Sequence, residues 1–340
     1  MEDLKGGLIG CGYFAQNHLH AWRQVKGASL AAVCDSDLAR ARTAAASFGV
    51  ERSYADAGEM LRAERLDFVD IVTQPASHRE LVELAAHRGV HVICQKPVAF
   101  ELEDARVMVE ACSAAGVRFM VHENFRWQAP MRAVKAASAR LGSLFFGRVS
   151  FRTAFDVYAS QPYLALEPRL IVLDLGVHLL DLARFFFGEA RSLNCVLRRV
   201  NPGIRGEDSA TILLEAEGGA ACVVDMSFSS RLEEEIFPQT LVQLEGELGS
   251  VSLGPHYQLS VTTAGGVERR VAGPRRLEWA APGREAIQES VLSIQEHWVR
   301  CLREECEPET SGRDNLRTMD LVHGAYASAA SGLPHRAARG

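Results

Sequence analysis

Over the first 124 residues, short apolar runs alternate with longer segments in which apolar residues recur every three or four positions. The runs Leu4 to Ile9, Leu30 to Cys34, Phe68 to Val72, Val90 to Cys94 and Phe119 to Val121 are nearly continuous in hydrophobicity, as strands covered on both faces are. The segments between them, rich in Ala, Arg and Glu, predict helices. Ser77-His78-Arg79-Glu80 reads as a capping box opening one helix that Gly89 closes, and Gly116 closes the next. Strand and helix in regular alternation predict a doubly wound α/β domain with a parallel sheet over residues 1–124.

Beyond a linking helix at Met131 to Arg140 the texture changes. Val149 to Thr153, Val196 to Val200, Thr211 to Ala216, Ala221 to Ser227 and Leu241 to Glu245 read as strands with few helices between them, which predicts a largely antiparallel sheet. Two late helices, about residues 284–304 and 314–331, complete an α+β domain over residues 125–340, the last of them expected to pack back on the first domain. Gly273 to Arg276 and Pro282 to Arg284 read as exposed loops. The longest apolar stretch, Leu170 to Phe187, is interrupted by Asp174, His178, Asp181 and Arg184, so it predicts a buried helix and no membrane span.

The 340 residues, 47% hydrophobic, suffice for two cores. Thirty-seven basic against 43 acidic residues give a net charge near -6, without the basic runs that mark nucleic-acid or anionic-membrane binding, so a small-molecule partner is expected. The start has no charged head followed by a long apolar core, which points to the cytoplasm. Eight cysteines lie scattered without CxxC pairs and read as core thiols, and no metal site is expected.

Candidate chemistry begins where the first strand ends, in Gly10-Cys11-Gly12-Tyr13-Phe14-Ala15. This GxGxxA turn lets backbone amides approach a pyrophosphate and lets the following helix pack close to the strand. Asp35, at the end of the second strand, is placed to accept hydrogen bonds from the adenosine ribose hydroxyls. Its charge, with Asp37 nearby, opposes a 2′-phosphate and favours NAD over NADP. Arg40, one helical turn further on, either pairs with Asp35 or lies on a solvated face. Lys96 follows the strand Val90 to Cys94, where ligands of open α/β sheets bind, and Pro97 stops the strand behind it. In Asp174-Leu175-Gly176-Val177-His178-Leu179-Leu180-Asp181, helical spacing puts Asp174, His178 and Asp181 on one face of an apolar helix, a costly arrangement unless the groups are paired or used.

The GxGxxA turn, Thr73-Gln74-Pro75 followed by His78, Lys96-Pro97, Asn124-Phe125-Arg126 and the Asp174, Gly176, His178 and Asp181 pattern together resemble the Gfo/Idh/MocA oxidoreductases over nearly the whole chain. The resemblance implies an amino-terminal Rossmann domain, a carboxy-terminal open-faced α+β domain whose sheet often forms a homodimer or homotetramer interface, and a catalytic set of Lys96, Asp174 and His178. Cofactor contacts are expected from Gly10, Gly12, Tyr13, Phe14, Ala15, Asp35, Arg40, Thr73, Pro75, His78, Gln95 and Lys96. The run His122 to Gln128, with Gln161-Pro162-Tyr163, Pro168-Arg169-Leu170 and Gly206-Glu207-Asp208, resembles a subgroup related to apiose dehydrogenase. Gln95 stands where many members have glutamate, Ala76 where many have asparagine, and Asp174-Leu175 where the apiose enzymes tend to have glutamate-threonine.

The implied reaction is reversible hydride transfer between a sugar or polyol hydroxyl carbon and nicotinamide, on an aldose, branched pentose or inositol-like substrate. His178 or Lys96 is its general base. Arg126, Trp127, Arg152, Tyr163 and Arg169 are candidates to read sugar hydroxyls. His18, His20 and His122 read as helix or strand histidines. Two other functions fit the same fold: glycoside cleavage by NAD-dependent oxidation and elimination, and a non-catalytic nucleotide-sensing regulator.

Overall fold

The computed structural model describes residues 2–338, which divide into two compact units. The first comprises residues up to Asn124 together with Ser290–Leu316, and the second Phe125–Glu289 with residues from Arg317 onward. The chain therefore returns to the first unit late, and the division is not a single cut after residue 124.

The first unit holds six strands: β1 (Leu4–Ile9), β2 (Ala28–Cys34), β3 (Arg52–Tyr54), β4 (Phe68–Ile71), β5 (His91–Gln95) and β6 (Phe119–His122). They lie in the order β3-β2-β1-β4-β5-β6, all parallel, which is the doubly wound arrangement the alternating pattern predicts. Leu8, Val33, Phe68, Val69, Ile93 and Met120 are fully buried, as the continuous apolar runs require. Strand β3 escapes the sequence pattern because only Tyr54 of its three residues is hydrophobic and none is buried. The helix after β4 starts at Pro75, with Gln74 as its N-cap, and not at Ser77. Proline at the first helical position has its φ preset and gives up only an amide that is unpaired there anyway. Ser77 instead donates its hydroxyl to Thr73 Oγ1 and to the Gln74 carbonyl.

Residues 290–316 complete this unit. Trp298 is wholly buried and meets Phe68 edge to face at 6.4 Å, and Arg303 donates to the Gly27 carbonyl at 2.7 Å. Thr310 and Val121 exchange hydrogen bonds at the β6 edge, from Val121 N–H to the Thr310 carbonyl and from the Thr310 hydroxyl to the Val121 carbonyl, both 2.8 Å.

The second unit is built on nine strands: β7 (Leu144–Arg152), β8 (Ala190–Arg198), β9 (Ser209–Ala216), β10 (Ala221–Ser227), β11 (Leu241–Gly246), β12 (Gly249–Leu253), β13 (Gln258–Thr263), β14 (Gly266–Val271) and β15 (His335–Arg336). Their order is β14-β13-β12-β11-β7-β10-β9-β8-β15, antiparallel except for the β7–β10 pair. One face carries the helix Val177–Phe187, and at Gly147 of β7 an added Cβ would lie 2.2 Å from the Phe187 ring. Inward and outward positions alternate along β9, and the outward face exposes Val196 and Leu213. Strands β12 and β13 alternate buried Val251, Leu253, Leu259 and Val261 with polar residues, a short period-two pattern that is not among the predicted strands, and β14 is entirely exposed. No helix among the described residues is long and apolar enough to cross a membrane.

Leu8, near the end of β1 and paired with both β2 and β4, is completely buried in the first core. Leu8→Ala is expected to lower the unfolding free energy by about 2–5 kcal/mol in urea titration, and a loss below about 1 kcal/mol would mean that the site repacks.

Candidate active site

In the first unit, β1, β2, β4 and β5 deliver the expected cofactor residues at their carboxyl ends. Gly10 takes φ +97°, and an added Cβ would lie 2.6 Å from the Val72 carbonyl oxygen and 2.8 Å from the Thr73 methyl. Only glycine fits where β1 and β4 adjoin, which is the switch point of the sheet. Gly12, by contrast, has open space where a side chain would stand. Ala15 is completely buried and opens the helix Ala15–Trp22, whose N-cap Phe14 makes no side-chain hydrogen bond and accepts the Asn17 N–H on its carbonyl at 3.0 Å. Tyr13 is exposed.

Asp35 is buried and tied down by its surroundings: Cys11 N–H donates to Oδ2 at 2.8 Å and Asp37 N–H to Oδ1 at 2.9 Å. The carboxylate at the end of β2 thus fixes the glycine turn after β1. Asp37 caps the helix Leu38–Phe48 through the amides of Ala39 and Arg40. Arg40 combines the two alternatives of the sequence reading, with its guanidinium 3.7 Å from Asp35 and its side chain 55% exposed. Cys11, inside the turn, has its thiol pushed up to about 12 by burial and then by Asp35, so it stays protonated.

His78 is wholly buried, its Nδ1 3.0 Å from the Val98 carbonyl and its Nε2 3.1 Å from the Thr73 carbonyl. It ties the loop after β4 to the loop after Lys96. Burial lowers its pKa against the pull of these carbonyls, and the neutral ring, with a single N–H, donates to only one of the two. The Lys96–Pro97 peptide is cis. Gln95 is buried at the end of β5 and accepts the Lys96 backbone N–H at 2.7 Å.

In the second unit, Asp174 lies in a π-helical turn, Val172–Gly176, which runs into the α-helix Val177–Phe187. The widened turn departs from the regular helical spacing assumed for the Asp174, His178 and Asp181 pattern, and such turns recur at functional sites. His178, 4% exposed, stacks on Phe125 with ring centroids 3.8 Å apart and planes 3° apart. Asp181 is drawn into a structural pair: Arg126 donates to it through Nε at 2.6 Å and Nη2 at 2.7 Å, and Thr318 adds a hydroxyl at 3.2 Å.

The candidate hydroxyl readers are dispersed in their partners. Arg126 is engaged by Asp181, the Trp127 ring is covered by the Arg132 guanidinium at 3.9 Å, and Arg152 donates to Asp225 at 3.1 Å. Tyr163 is 41% exposed and donates to Gln161, while Arg169 stands 5.8 Å from the centre of the Tyr326 ring.

Two features had no role in the sequence reading. Buried Glu207 accepts the amides of Leu170 and Val172 at 3.1 and 3.3 Å and the Tyr326 hydroxyl at 2.7 Å, so it caps the helix that carries Asp174. The Gly206-Glu207-Asp208 triplet was its only sequence signal. The buried Tyr158 hydroxyl has no hydrogen-bond partner among the described residues, and burial, with Asp208, Asp156 and Asp174 nearby, pushes its pKa up to about 12. No group of three or more His, Cys, Asp or Glu side chains among the described residues is arranged to hold a metal ion.

Residues 4–123 match the oxidoreductase family with an NAD-binding Rossmann fold, and residues 132–252 match the GFO/IDH/MocA C-terminal domain. The chain belongs to this family and is an NAD-binding oxidoreductase. It is 55% identical over 98% of its length to a D-apiose dehydrogenase from Paraburkholderia graminis, covering 89% of that protein. It is 50% identical over 98% of its length to the D-apiose dehydrogenase of Rhizobium rhizogenes, covering 97% of it. Among solved structures, an oxidoreductase from Agrobacterium radiobacter, crystallised with NAD+, L-tartaric acid and magnesium, superposes with a TM-score of 0.97 at 49% identity, covering 98% of each chain. These relatives bear out the resemblance to the apiose subgroup. An inositol 2-dehydrogenase from Rhizobium meliloti is more distant, at 26% identity over 96% of this chain and 97% of its own.

Glu207→Ala leaves buried donors on Leu170, Val172 and Tyr326 without their acceptor. At about 1–3 kcal/mol per orphaned donor it is expected to cost roughly 3 kcal/mol in urea unfolding, with Glu207→Gln recovering part of it. His78 gives a pH test. Its folded pKa lies below the ordinary 6.5, so the unfolded chain binds the proton first. Its contribution to stability is complete above 6.5 and is lost as pH falls below it. Between pH 7.5 and 5 the urea midpoint should fall less steeply in His78→Gln than in the parent, and an unchanged slope would place the acid sensitivity elsewhere.

Proposed function

We propose that the protein is an NAD-dependent D-apiose dehydrogenase, taking a hydride from a hydroxyl-bearing carbon of this branched aldose and releasing the hydroxyl proton. The identity of 55% and 50% to two D-apiose dehydrogenases over 98% of the chain carries the reading. The cofactor supplies the hydride acceptor when bound. The glycine turn with φ +97° at Gly10, the helix Ala15–Trp22 that opens behind it and the anchored Asp35 fit it. Gly12, Tyr13, Phe14, Arg40, Thr73, Pro75, His78 and Gln95 complete the proposed cofactor set.

Lys96, Asp174 and His178 form the proposed catalytic set. His178 takes the hydroxyl proton, Lys96 hydrogen-bonds the reacting oxygen, and Asp174 orients them. Stacking on Phe125 supports the role of His178, because a base must present its nitrogen in one direction. An exchange of roles, with Lys96 as base, is chemically equivalent in outcome. Arg152, Tyr163 and Arg169 are the proposed hydroxyl readers, with Arg126 and Trp127 supporting them from their pairs with Asp181 and Arg132. The free thiols, seven of eight buried, support a reducing cytoplasmic setting. The exposed Val196 and Leu213 on the open sheet face support a homodimer or homotetramer.

The test is a screen of D-apiose, other aldoses, inositols and sugar acids with NAD and NADP separately, following the reduced cofactor. D-apiose with NAD should give the highest kcat/KM, and Asp35→Ser should narrow the preference over NADP. Activity confined to an inositol, a preference of the parent for NADP, or turnover without net NADH would contradict the reading.

A further inference from the structure

In the first unit a buried chain of hydrogen bonds joins two residues outside the set above, His18 and Asp70, to two within it, Gln95 and Lys96. His18, in the helix after the glycine turn, and Asp70, in β4, are both completely buried, and the His18 Nδ1 lies 2.8 Å from Asp70 Oδ2. Trp22 donates its indole N–H to the same oxygen at 2.7 Å. On the other side of the imidazole, His18 Nε2 lies 3.0 Å from the Gln95 amide nitrogen, and Gln95 Oε1 receives the Lys96 backbone N–H at 2.7 Å. The ring also packs on His122, with centroids 4.2 Å apart.

The direction of this chain follows from its two ends. The Lys96 backbone N–H only donates, so it fixes Gln95 with its carbonyl oxygen toward Lys96 and its NH2 toward His18. The NH2 group donates, so His18 Nε2 must offer its lone pair. The imidazole proton is then on Nδ1 and is donated to the Asp70 carboxylate. One tautomer and one amide orientation satisfy every bond of this chain, and any flip sets two donors or two acceptors face to face among buried side chains.

We propose that His18 and Asp70 are positioning residues for Lys96, acting through Gln95. They share no contact with substrate in this role. The buried carboxylate fixes the imidazole, the imidazole fixes the glutamine, and the glutamine holds the backbone of the residue whose side chain points the ammonium at the reacting oxygen. The inference rests on the reading of Lys96 as a catalytic residue. It also explains why position 95 carries an amide: a carboxylate there has no proton to donate to His18 Nε2.

The experiment combines kinetics with a signature that does not depend on turnover. Gln95→Met, close in volume and lacking both hydrogen bonds, is expected to lower kcat on the order of 10–100-fold, the scale for a misplaced catalytic group, and to change KM for NAD by less than it changes kcat. Nitrogen-15 NMR of the unmodified protein, with His18 assigned by loss of its signals in His18→Gln, should show Nδ1 protonated and Nε2 bare. A parental kcat in Gln95→Met while Lys96→Ala is inactive would overturn the relay and leave Lys96 catalytic. Parental rates in both variants would overturn the reading of Lys96 and the relay with it. An Nε2-protonated tautomer would overturn the relay even if Gln95→Met fails to fold.

Discussion

A carboxylate taken out of water must be given hydrogen bonds, and the buried carboxylates of this chain fix segments that carry the proposed site residues. Asp35 receives the amides of Cys11 and Asp37 and thereby joins the glycine turn to β2. Asp70 receives His18 and Trp22 within the first sheet. Glu207 receives two amides at the start of the helix bearing Asp174, and Asp181 is held by both nitrogens of one edge of Arg126. Removing any one of these acceptors leaves donors that cannot reach solvent, so local geometry and stability are coupled at each.

The same constraint separates two kinds of charged residue that look alike in sequence. Asp174 and Asp181 lie seven positions apart on one apolar helix, yet Asp181 is completely buried in an ion pair whereas Asp174 is partly exposed in a widened turn. Arg126 shows the converse. Its place in the Asn124-Phe125-Arg126 motif suggests ligand recognition, and its guanidinium engages Asp181. A buried ion pair with bidentate geometry is costly to break, so Arg126 contributes to the order of the second unit whatever else it does.

What was legible in the sequence follows from local physics. The parallel strands were readable because strands covered on both faces are continuously apolar, and the glycine turn because Gly10 is required by the Val72 carbonyl. The start of the helix at Pro75 was misplaced because a capping-box pattern and a proline at the first helical position compete, and the preset φ of proline wins. The return of residues 290–316 to the first unit depends on pairing with distant segments, as Thr310 does with Val121, and leaves no periodic trace. The roles of Glu207 and His18 were illegible for the same reason, since their partners lie 35 or more residues away.

Lys96, as proposed, acts on the reacting oxygen of a sugar that loses its hydride to NAD. The most direct test is NADH formation from D-apiose by the parent and by Lys96→Ala at saturating cofactor, with NAD affinity measured separately. A loss of about 100- to 10,000-fold in kcat with NAD affinity retained is expected. An unchanged kcat in Lys96→Ala would contradict it.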